Sequence, residues 1–418
     1  MSKKMKILTL SDHPLSPSGV GTQTRYIIEG LLKTGKYQFL SFGGAIKHNK
    51  YEPQRTEEWG DDWLIWPVDG YGTQDQLRAI IHQQRPDMLW FMTDPRFYGW
   101  LWQIENEVRA QMPMVYYHVW DNYPYPTFNK INYSSNDHIA CISKVTYDIV
   151  KTVAPGVDVS YIPHAVDTEI FKSHPDEDIK QFRADKLKGH QDKFLLFWNN
   201  RNARRKQSGS LIFWFNDFLN KVGRDKATLI MHTDPKDVHG QDLEAIIHEL
   251  GMSDGEVLFS KEKVDAANLA IVYNMVDCTI NISDAEGFGL STLESMACGT
   301  PIIATITGGL QDQLTDGEDW YGIGIEPASK AIIGSQEVPW IYEDRLNGND
   351  VVDALVKMYE LGDEERKALG LKGQAYVEKT FNFDKYAETW DDLIMRLHEE
   401  HGSWETRTGY QPYEVREF

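Results

Sequence analysis

The sequence predicts an α/β protein built from two halves in tandem, each a parallel sheet covered by helices. Three observations carry that prediction. Short apolar runs alternate with helical patterns along most of the chain, which is the signature of βαβ units. The alternation is interrupted once, by a polar stretch at 173–193 rich in Asp, Lys, Gln and His, and then resumes. The chain of 418 residues, 41% hydrophobic and 25% charged, has room for two or three domains with ordinary soluble cores.

In order, residues 6–10 read as a buried strand. A Ser/Pro/Gly loop at 14–21 leads into a helix at 22–32, whose apolar face is Tyr26, Ile27, Leu31 and Leu32. Gly35 ends that helix and 37–42 is the next strand. Further strands are read at 63–68, 87–92, 114–118 and 138–142, with helices at 74–84 and 98–111. The polar 173–193 stretch reads as a partly helical linker. The second series has strands at 194–198, 227–232, 257–259, 278–282 and 301–304, and helices at 209–218, 242–250, 266–274 and 290–297. Residues 331–350 read as a loop. Amphipathic helices follow at 351–360, 364–379 and 383–398, and 399–418 has no period, as a frayed tail or a surface strap would. The expected domains are 1–170, 171–382 and a terminal piece at 383–418. The halves share no sequence repeat, which excludes a solenoid.

The net charge of −20 argues against a chain held on nucleic acid or anionic membrane by bulk charge. The acidity is uneven: residues 1–165 carry 16 Lys/Arg and 17 Asp/Glu, while 166–418 carry 27 and 46. An anionic acceptor on the first half is therefore compatible with the overall charge. Cys141, Cys278 and Cys298 are far apart and form no CxxC pair, which supports neither a zinc knuckle nor a disulfide scaffold. No apolar run approaches eighteen residues, and the basic start is followed by too short an apolar run for a signal peptide. The expectation is a protein of a reducing cytoplasm, a host's if virally encoded.

The strongest local signal is the run from Ser283 to Pro301. A strand enters the turn Glu286-Gly287-Phe288-Gly289, which opens a helix at Leu290-Ser291. The glycines let backbone N–H groups approach a ligand, and the helix N-terminus favours an anion. Glu286 and Glu294 are separated by roughly 12 Å of helical rise at most, so they suit a ligand with polar groups at two ends. A second signal is Asn199-Asn200-Arg201-Asn202-Ala203-Arg204-Arg205-Lys206-Gln207, a basic run between strand and helix that suits a diphosphate. A third is the loop Gly19-Val20-Gly21, which fails as a dinucleotide fingerprint because Thr24 replaces the third glycine. Two histidines stand at element ends, His118 before Val119-Trp120-Asp121 and His164 before Ala165-Val166-Asp167.

The run from Glu286 to Pro301 resembles the E-x7-E motif of retaining glycosyltransferases of family four, matching E-G-F-G-L-x-x-L-E-x-M-A-x-G-x-P. The resemblance implies the GT-B architecture, two Rossmann-like α/β domains facing across a cleft, with a terminal helix crossing back to the first. It implies that Glu286 lies against the donor sugar and Glu294 against ribose hydroxyls. Gly287, Phe288, Gly289, Leu290 and Ser291 are then the donor loop. Arg201 and Lys206 have the spacing of the family's G-R-x-x-x-x-K-G diphosphate motif, with Asn200 and Gln207 in place of its glycines, so Arg204 or Arg205 can share the role. By the same resemblance Gly19 and Gly21 face the donor phosphates and His118 touches the transferred sugar; Asp121, three residues on from His118, is a candidate on the acceptor side and a candidate base. His164 falls in the turn at the domain junction.

The expected activity is transfer of a hexose or pentose from a nucleotide-diphosphate sugar to an acceptor hydroxyl with retention of configuration. By the resemblance the departing phosphate oxygen serves as base, with Asp121 as the other candidate. No cofactor is tightly bound, and the GT-B resemblance implies metal independence. The acceptor is a glycan, a lipid, a small molecule or hydroxymethylated DNA. One alternative is a phage-type DNA glycosyltransferase acting on a hydroxymethylated base, because the loops are rich in Trp and Tyr. Another is a non-catalytic nucleotide-sugar binding protein on the same fold. Glu286→Ala or Lys206→Ala is expected to abolish donor turnover with the fold intact.

Overall fold

The computed structural model describes residues 3–414. The chain divides into two compact units, Met1–Ala165 with Phe383–Phe418, and Val166–Asn382. The division after Ala165 falls earlier than the expected 170, and the terminal segment, expected to cross back towards the first domain, is grouped with the first unit.

The first unit carries an eight-stranded sheet of β1 (Met5–Asp12), β2 (Tyr37–Gly44), β3 (Gln54–Arg55), β4 (Trp63–Pro67), β5 (Met88–Met92), β6 (Met114–His118), β7 (His138–Cys141) and β8 (Asp158–Tyr161). Their spatial order is β3-β4-β2-β1-β5-β6-β7-β8, with only β3–β4 antiparallel. Helices cover both faces, which is why central strands such as Met88–Met92 are apolar at every position and buried throughout. The short edge strands β3 and β8 have polar, partly exposed sequences and carry no such signal.

Local chemistry moves several boundaries. The first helix is Gly19–Leu32, starting earlier than the expected 22, because the Ser18 hydroxyl caps it by accepting from the Gly21 N–H at 2.9 Å. Gly19 and Gly21 therefore sit in a helical turn. The helix expected over 98–111 is broken into a 3₁₀ turn Pro95–Tyr98 and the short helices Gly99–Trp102 and Glu105–Arg109. Asp94 and Pro95 start the first piece, and Trp102 donates back to the Pro95 carbonyl at 2.9 Å, folding the segment on itself.

The helix Phe383–His401 buries Trp390 completely, with ring centroids 5.0 Å from Tyr117 and 5.9 Å from Trp90. Gly30 permits the approach, since a Cβ there would lie 2.7 Å from that of Ala387. Beyond it, the terminal residues to 414 form a strap, and 415–418 lie outside the described residues. Trp404 donates to the Pro86 carbonyl at 2.8 Å, beneath the Arg85 guanidinium at 4.2 Å. Arg407 donates to Asp137 at 2.8 Å and to the Arg109 carbonyl at 2.7 Å, with both its side chain and that of Asp137 almost fully buried. Arg407→Met is expected to lower the stability of the full chain by about 1.5–3 kcal/mol, the range for hydrogen bonds to charged groups. Denaturant unfolding checks this, and an unchanged midpoint would show that the strap contributes nothing.

The second unit holds β9 (Phe194–Asn199), β10 (Ala227–His232), β11 (Val257–Ser260), β12 (Cys278–Asn281), β13 (Ile302–Thr305) and β14 (Ile323–Ile325), all parallel. The order β11-β10-β9-β12-β13-β14 is that of a doubly wound Rossmann-like sheet. Its core includes Trp198, Phe215, Phe218, Ile280 and Ile303, with Leu355 and Met358 from the helix Gly348–Glu360. The linker expected at 173–193 contains the helix Asp176–Lys186, with no buried residue. The stretch 331–350, expected as a loop, instead holds most of an antiparallel hairpin, β15 (Ser329–Ile333) with β16 (Ile341–Arg345), and the start of the following helix. Its strands pair with each other outside the main sheet, so their apolar positions lack the continuous pattern of core strands. Among the described residues no helix is long and apolar enough to cross a membrane.

Candidate active site

In the second sheet the chain winds outward from β9 through β10 to β11, then returns to place β12 on the other side of β9. The loops leaving the carboxyl ends of β9 and β12 therefore diverge. A crevice at such a point is where doubly wound sheets bind ligands. The two loops are residues 200–207 and 282–289, the two runs singled out in the sequence.

The first loop is fixed by Asn202, which is fully buried. Its side chain donates to the Gln241 carbonyl at 2.7 Å and accepts from the Ser208 hydroxyl at 2.7 Å. The 3₁₀ turn Arg204–Lys206 follows, ending at Gln207 with φ +56°. That left-handed conformation favours the glycine found in the family motif. Here the glutamine side chain compensates by donating to Asp284 of the second loop at 2.8 Å.

The turn distributes its charges. Lys206, only 10% exposed, forms a buried ion pair with Glu286. Arg205 donates to the Ala285 carbonyl at 2.5 Å and lies 4.0 Å from the other Glu286 oxygen. Asn281 and Ser283 each reach Glu286 at 3.3 Å. Burial works to raise the Glu286 pKa, but the charges of Lys206 and Arg205 outweigh it and hold the carboxyl at about 2. Glu286 is thus a permanent carboxylate at neutral pH. Arg201 stands elsewhere: it is exposed, and its guanidinium is engaged by Asp237 at 2.6 Å and by His239 at 2.7 Å. Arg205, rather than Arg201, joins Lys206 at Glu286.

The second loop is braced from below. Gln313 donates to the carbonyls of Phe288 and Gly289 at 2.7 and 3.0 Å, and the Gly309 N–H donates to the Glu286 carbonyl at 3.0 Å. Gly289 needs its glycine: φ is +92°, and a Cβ would lie 2.5 Å from Leu310. Gly287 and Phe288 complete the turn, and Phe288 packs on Phe381. The helix Leu290–Ala297 then begins with no side-chain cap, with Leu290 and Ser291 partly exposed in its first turn. Uncapped N–H groups and the helix dipole make that turn an anion-binding surface.

Further along this helix, Glu294 accepts from the Tyr273 hydroxyl at 2.8 Å, and Tyr273 in turn accepts from Asn199 at 2.9 Å. Burial raises the Glu294 pKa to about 7, against the Tyr273 hydrogen bond. The two glutamates thus sit in opposite electrostatic settings. Asn199 opens the basic run singled out in the sequence, whereas Tyr273 did not stand out, because a buried tyrosine on a helix reads as core.

The candidates of the first unit are placed differently. His118, expected to touch a sugar, has no exposed surface. Its Nε2 is 2.7 Å from the Tyr133 hydroxyl, its ring packs on Tyr116 and Tyr133, and burial lowers its pKa to about 3. The last position of β6 points inward, so His118 is a neutral core residue here. Asp121 is half-buried in the segment after β6. Gly21 is explained by packing within its own turn, where a Cβ would come 2.6 Å from the Ser16 hydroxyl and 2.7 Å from the His13 carbonyl. Gly19 opens the same helix. His164 is buried and bonded to the Tyr117 hydroxyl at 2.8 Å, which makes it a packing residue.

Residues 179–338 match the family model described as "Glycosyl transferases group 1". A D-inositol 3-phosphate glycosyltransferase of Arthrobacter sp. (strain FB24) is 41% identical over 110 residues, 26% of this chain and 25% of that protein. An N-acetyl-alpha-D-glucosaminyl L-malate synthase of Bacillus anthracis is 24% identical over 216 residues, 51% of this chain and 52% of that one. The chain spans about a fifth to a third of the length of the first curated relatives it matches. Solved structures are similar over nearly the whole chain. A sucrose-phosphate synthase from Thermosynechococcus elongatus superposes with a TM-score of 0.73 at 17% identity, over 95% of this chain and 100% of that one. The Anabaena protein HepE in complex with UDP and glucose gives 0.68 at 16% identity, over 94% and 99%. At such identities these structures establish the fold alone. The matching motif run, the group 1 glycosyl transferase match over 179–338 and the architecture agree: this chain has the GT-B fold and resembles the glycosyltransferases of family four.

Proposed function

We propose that this protein is a glycosyltransferase that moves a sugar from a nucleoside-diphosphate sugar to an acceptor hydroxyl, with retention of anomeric configuration. The observation that carries the reading is the Lys206–Glu286 pair at the switch point, beside an uncapped helix that bears Glu294. In the reaction the bond from the anomeric carbon to the diphosphate breaks, and the departing oxygen keeps the electron pair. Lys206, Arg205 and the N-terminus of Leu290–Ala297 supply positive potential for that charge. The permanent carboxylate of Glu286 stabilises the cationic sugar while it lasts. The acceptor oxygen bonds to the same face, and its proton passes to the departing phosphate oxygen. Glu294 takes the ribose hydroxyls. Metal independence is part of the proposal, and turnover that persists in EDTA is its expected result.

A nucleotide-sugar donor is supported by the complex of the similar Anabaena protein HepE with UDP and glucose. A panel of nucleotide sugars scored by thermal shift identifies the donor, because a ligand that binds only the folded state raises the melting temperature. Release of nucleoside diphosphate then separates a transferase from a non-catalytic binder. No shift with any donor rejects the proposal. The acceptor falls to the first unit. A hydroxymethylated nucleobase is a second reading, favoured by Phe97, which is half exposed and stacked on Tyr71 with ring centroids 5.1 Å apart. An acceptor screen that includes hydroxymethylated DNA decides between it and glycans, lipids or small molecules.

Glu294 gives the proposal a pH signature. Between its ordinary value of 4.5 and about 7, the folded chain keeps a proton that the unfolded chain has released. This residue therefore makes stability fall as pH rises through that window. Relative to wild type, Glu294→Gln is expected to gain melting temperature from pH 4.5 to 7 and to level off above. A difference that is flat with pH refutes the raised pKa. Donor affinity of the variant is expected to drop, because an amide replaces a carboxylate at the ribose.

A further inference from the structure

The hairpin β15–β16 leaves the main sheet, yet its second strand ends in a cluster of charges against the two site loops. Glu343, 6% exposed at its side chain, accepts from both terminal nitrogens of Arg204 at 2.8 and 2.7 Å. Arg345 lies 3.2 Å from Glu343 and 2.9 Å from Asp284, whose side chain is 2% exposed. Arg204 itself is 3.7 Å from Asp284. Between them, the Asp344 N–H donates to the Asp284 carbonyl at 2.9 Å, and the Asp344 carboxylate accepts from the Thr307 hydroxyl at 2.6 Å.

One short strand thus grips three loops at the carboxyl end of the sheet: 200–207 after β9, 282–289 after β12, and the turn after β13. The ion pairs alternate in sign, Arg204–Glu343–Arg345–Asp284, so each buried carboxylate has a guanidinium on either side. Arg204 precedes Arg205 and Lys206 in a single 3₁₀ turn, and Asp284 lies two residues before Glu286. Holding Arg204 and Asp284 therefore sets where Lys206 and Glu286 stand. A mere surface hairpin would not need buried charges at its base, and the strands themselves carry the exposed Ile332 and, next to β16, Trp340.

We propose that the hairpin Ser329–Arg345 is a brace for the diphosphate-binding turn, with Glu343 and Arg345 as positioning residues that act through Arg204 and Asp284. It rests on the donor-site reading given above. Neither residue is assigned contact with the substrate. Their loss loosens the turn that carries Lys206 and weakens the grip on a diphosphate.

The test measures binding of uridine, guanosine and adenosine diphosphates to the full-length protein by calorimetry, followed by donor KM and kcat for the sugar nucleotide that is turned over. Glu343→Ala and Arg345→Ala are each expected to weaken diphosphate binding and raise donor KM by about tenfold or more, the loss of a charge-assisted hydrogen bond. The effect on kcat is expected to be smaller. Glu343→Gln, which keeps the shape and one acceptor oxygen, is expected to fall between wild type and Glu343→Ala and covers the case in which the alanine variant does not fold. The double alanine variant is expected to be less than the product of the two singles, because both residues serve one network. Ile332→Ser, at the exposed strand, is expected to bind as wild type. Wild-type affinity and KM in Glu343→Gln and Arg345→Ala, with wild-type protein binding a diphosphate, overturn the brace alone. A wild-type protein that binds no nucleoside diphosphate overturns the donor reading and the brace with it.

Discussion

Lys206→Met is expected to lower donor turnover by about 10²-fold or more, the scale for loss of one electrostatic contact to a developing charge. It is also expected to destabilise the second unit. The sequence alone suggested that this position could be emptied with the fold intact. In the structure Lys206 and Glu286 are a buried pair, and removal of one partner leaves the other uncompensated, a cost of about 3–5 kcal/mol. Arg205 at 4.0 Å from Glu286 softens that cost, so the lower end is expected. In a unit of this size the melting temperature then falls by roughly 6–12 °C. Lys206→Met combined with Glu286→Gln is expected to recover much of the stability, because two neutral groups need no partner, and none of the turnover. Calorimetry and nucleoside diphosphate release on the three proteins read both quantities. Turnover near wild type in Lys206→Met would falsify the site assignment. A double variant less stable than the single would remove the buried-charge account.

Trp390→Ala is expected to be the most damaging change in the first unit, at about 3–5 kcal/mol, the range for large aromatic deletions in a core. The indole has no exposed surface and meets Trp90 and Tyr117 edge to face. Its loss opens a cavity between the helix Phe383–His401 and the sheet that cannot collapse easily, because at Gly30 that helix already lies closer than a Cβ would allow. Asp391, one residue on, accepts from the Tyr37 hydroxyl and from Lys36, each at 2.5 Å, and keeps the helix attached. The expected result is thus a lowered melting transition with the fold retained. Circular dichroism at low temperature checks the fold and thermal unfolding checks the loss. A change below about 1 kcal/mol would mean that the site relaxes around the deletion.

The core strands and the two site loops were legible in the sequence because their signals are local. β9 is a nearly continuous apolar run, and β10, β12 and β13 are buried strands, each with only one or two polar residues. The Glu286–Pro301 run carries its glycines, carboxylates and helix start within one short segment, so composition and spacing suffice. The hairpin β15–β16 was not legible, since its strands bury little and pair only with each other. The 98–111 segment was read as one helix because its apolar spacing runs on through the breaks before Gly99 and Glu105.

By itself, then, the sequence determined the class of fold, two parallel α/β halves, and singled out the groups of the candidate site: Glu286, Glu294, Lys206 and the glycine turn. The tertiary structure decided which of these groups meet. It paired Lys206 and Arg205 with Glu286 while giving Arg201 to Asp237, turned His118 into the core against Tyr133, and enlisted Tyr273, Gln313, Glu343 and Arg345 from distant parts of the chain. The reason is physical. Periodicity and motif spacing report the backbone's local geometry, whereas ion pairing and burial depend on side chains brought together by strand order, which the chain fixes only when the sheet is assembled.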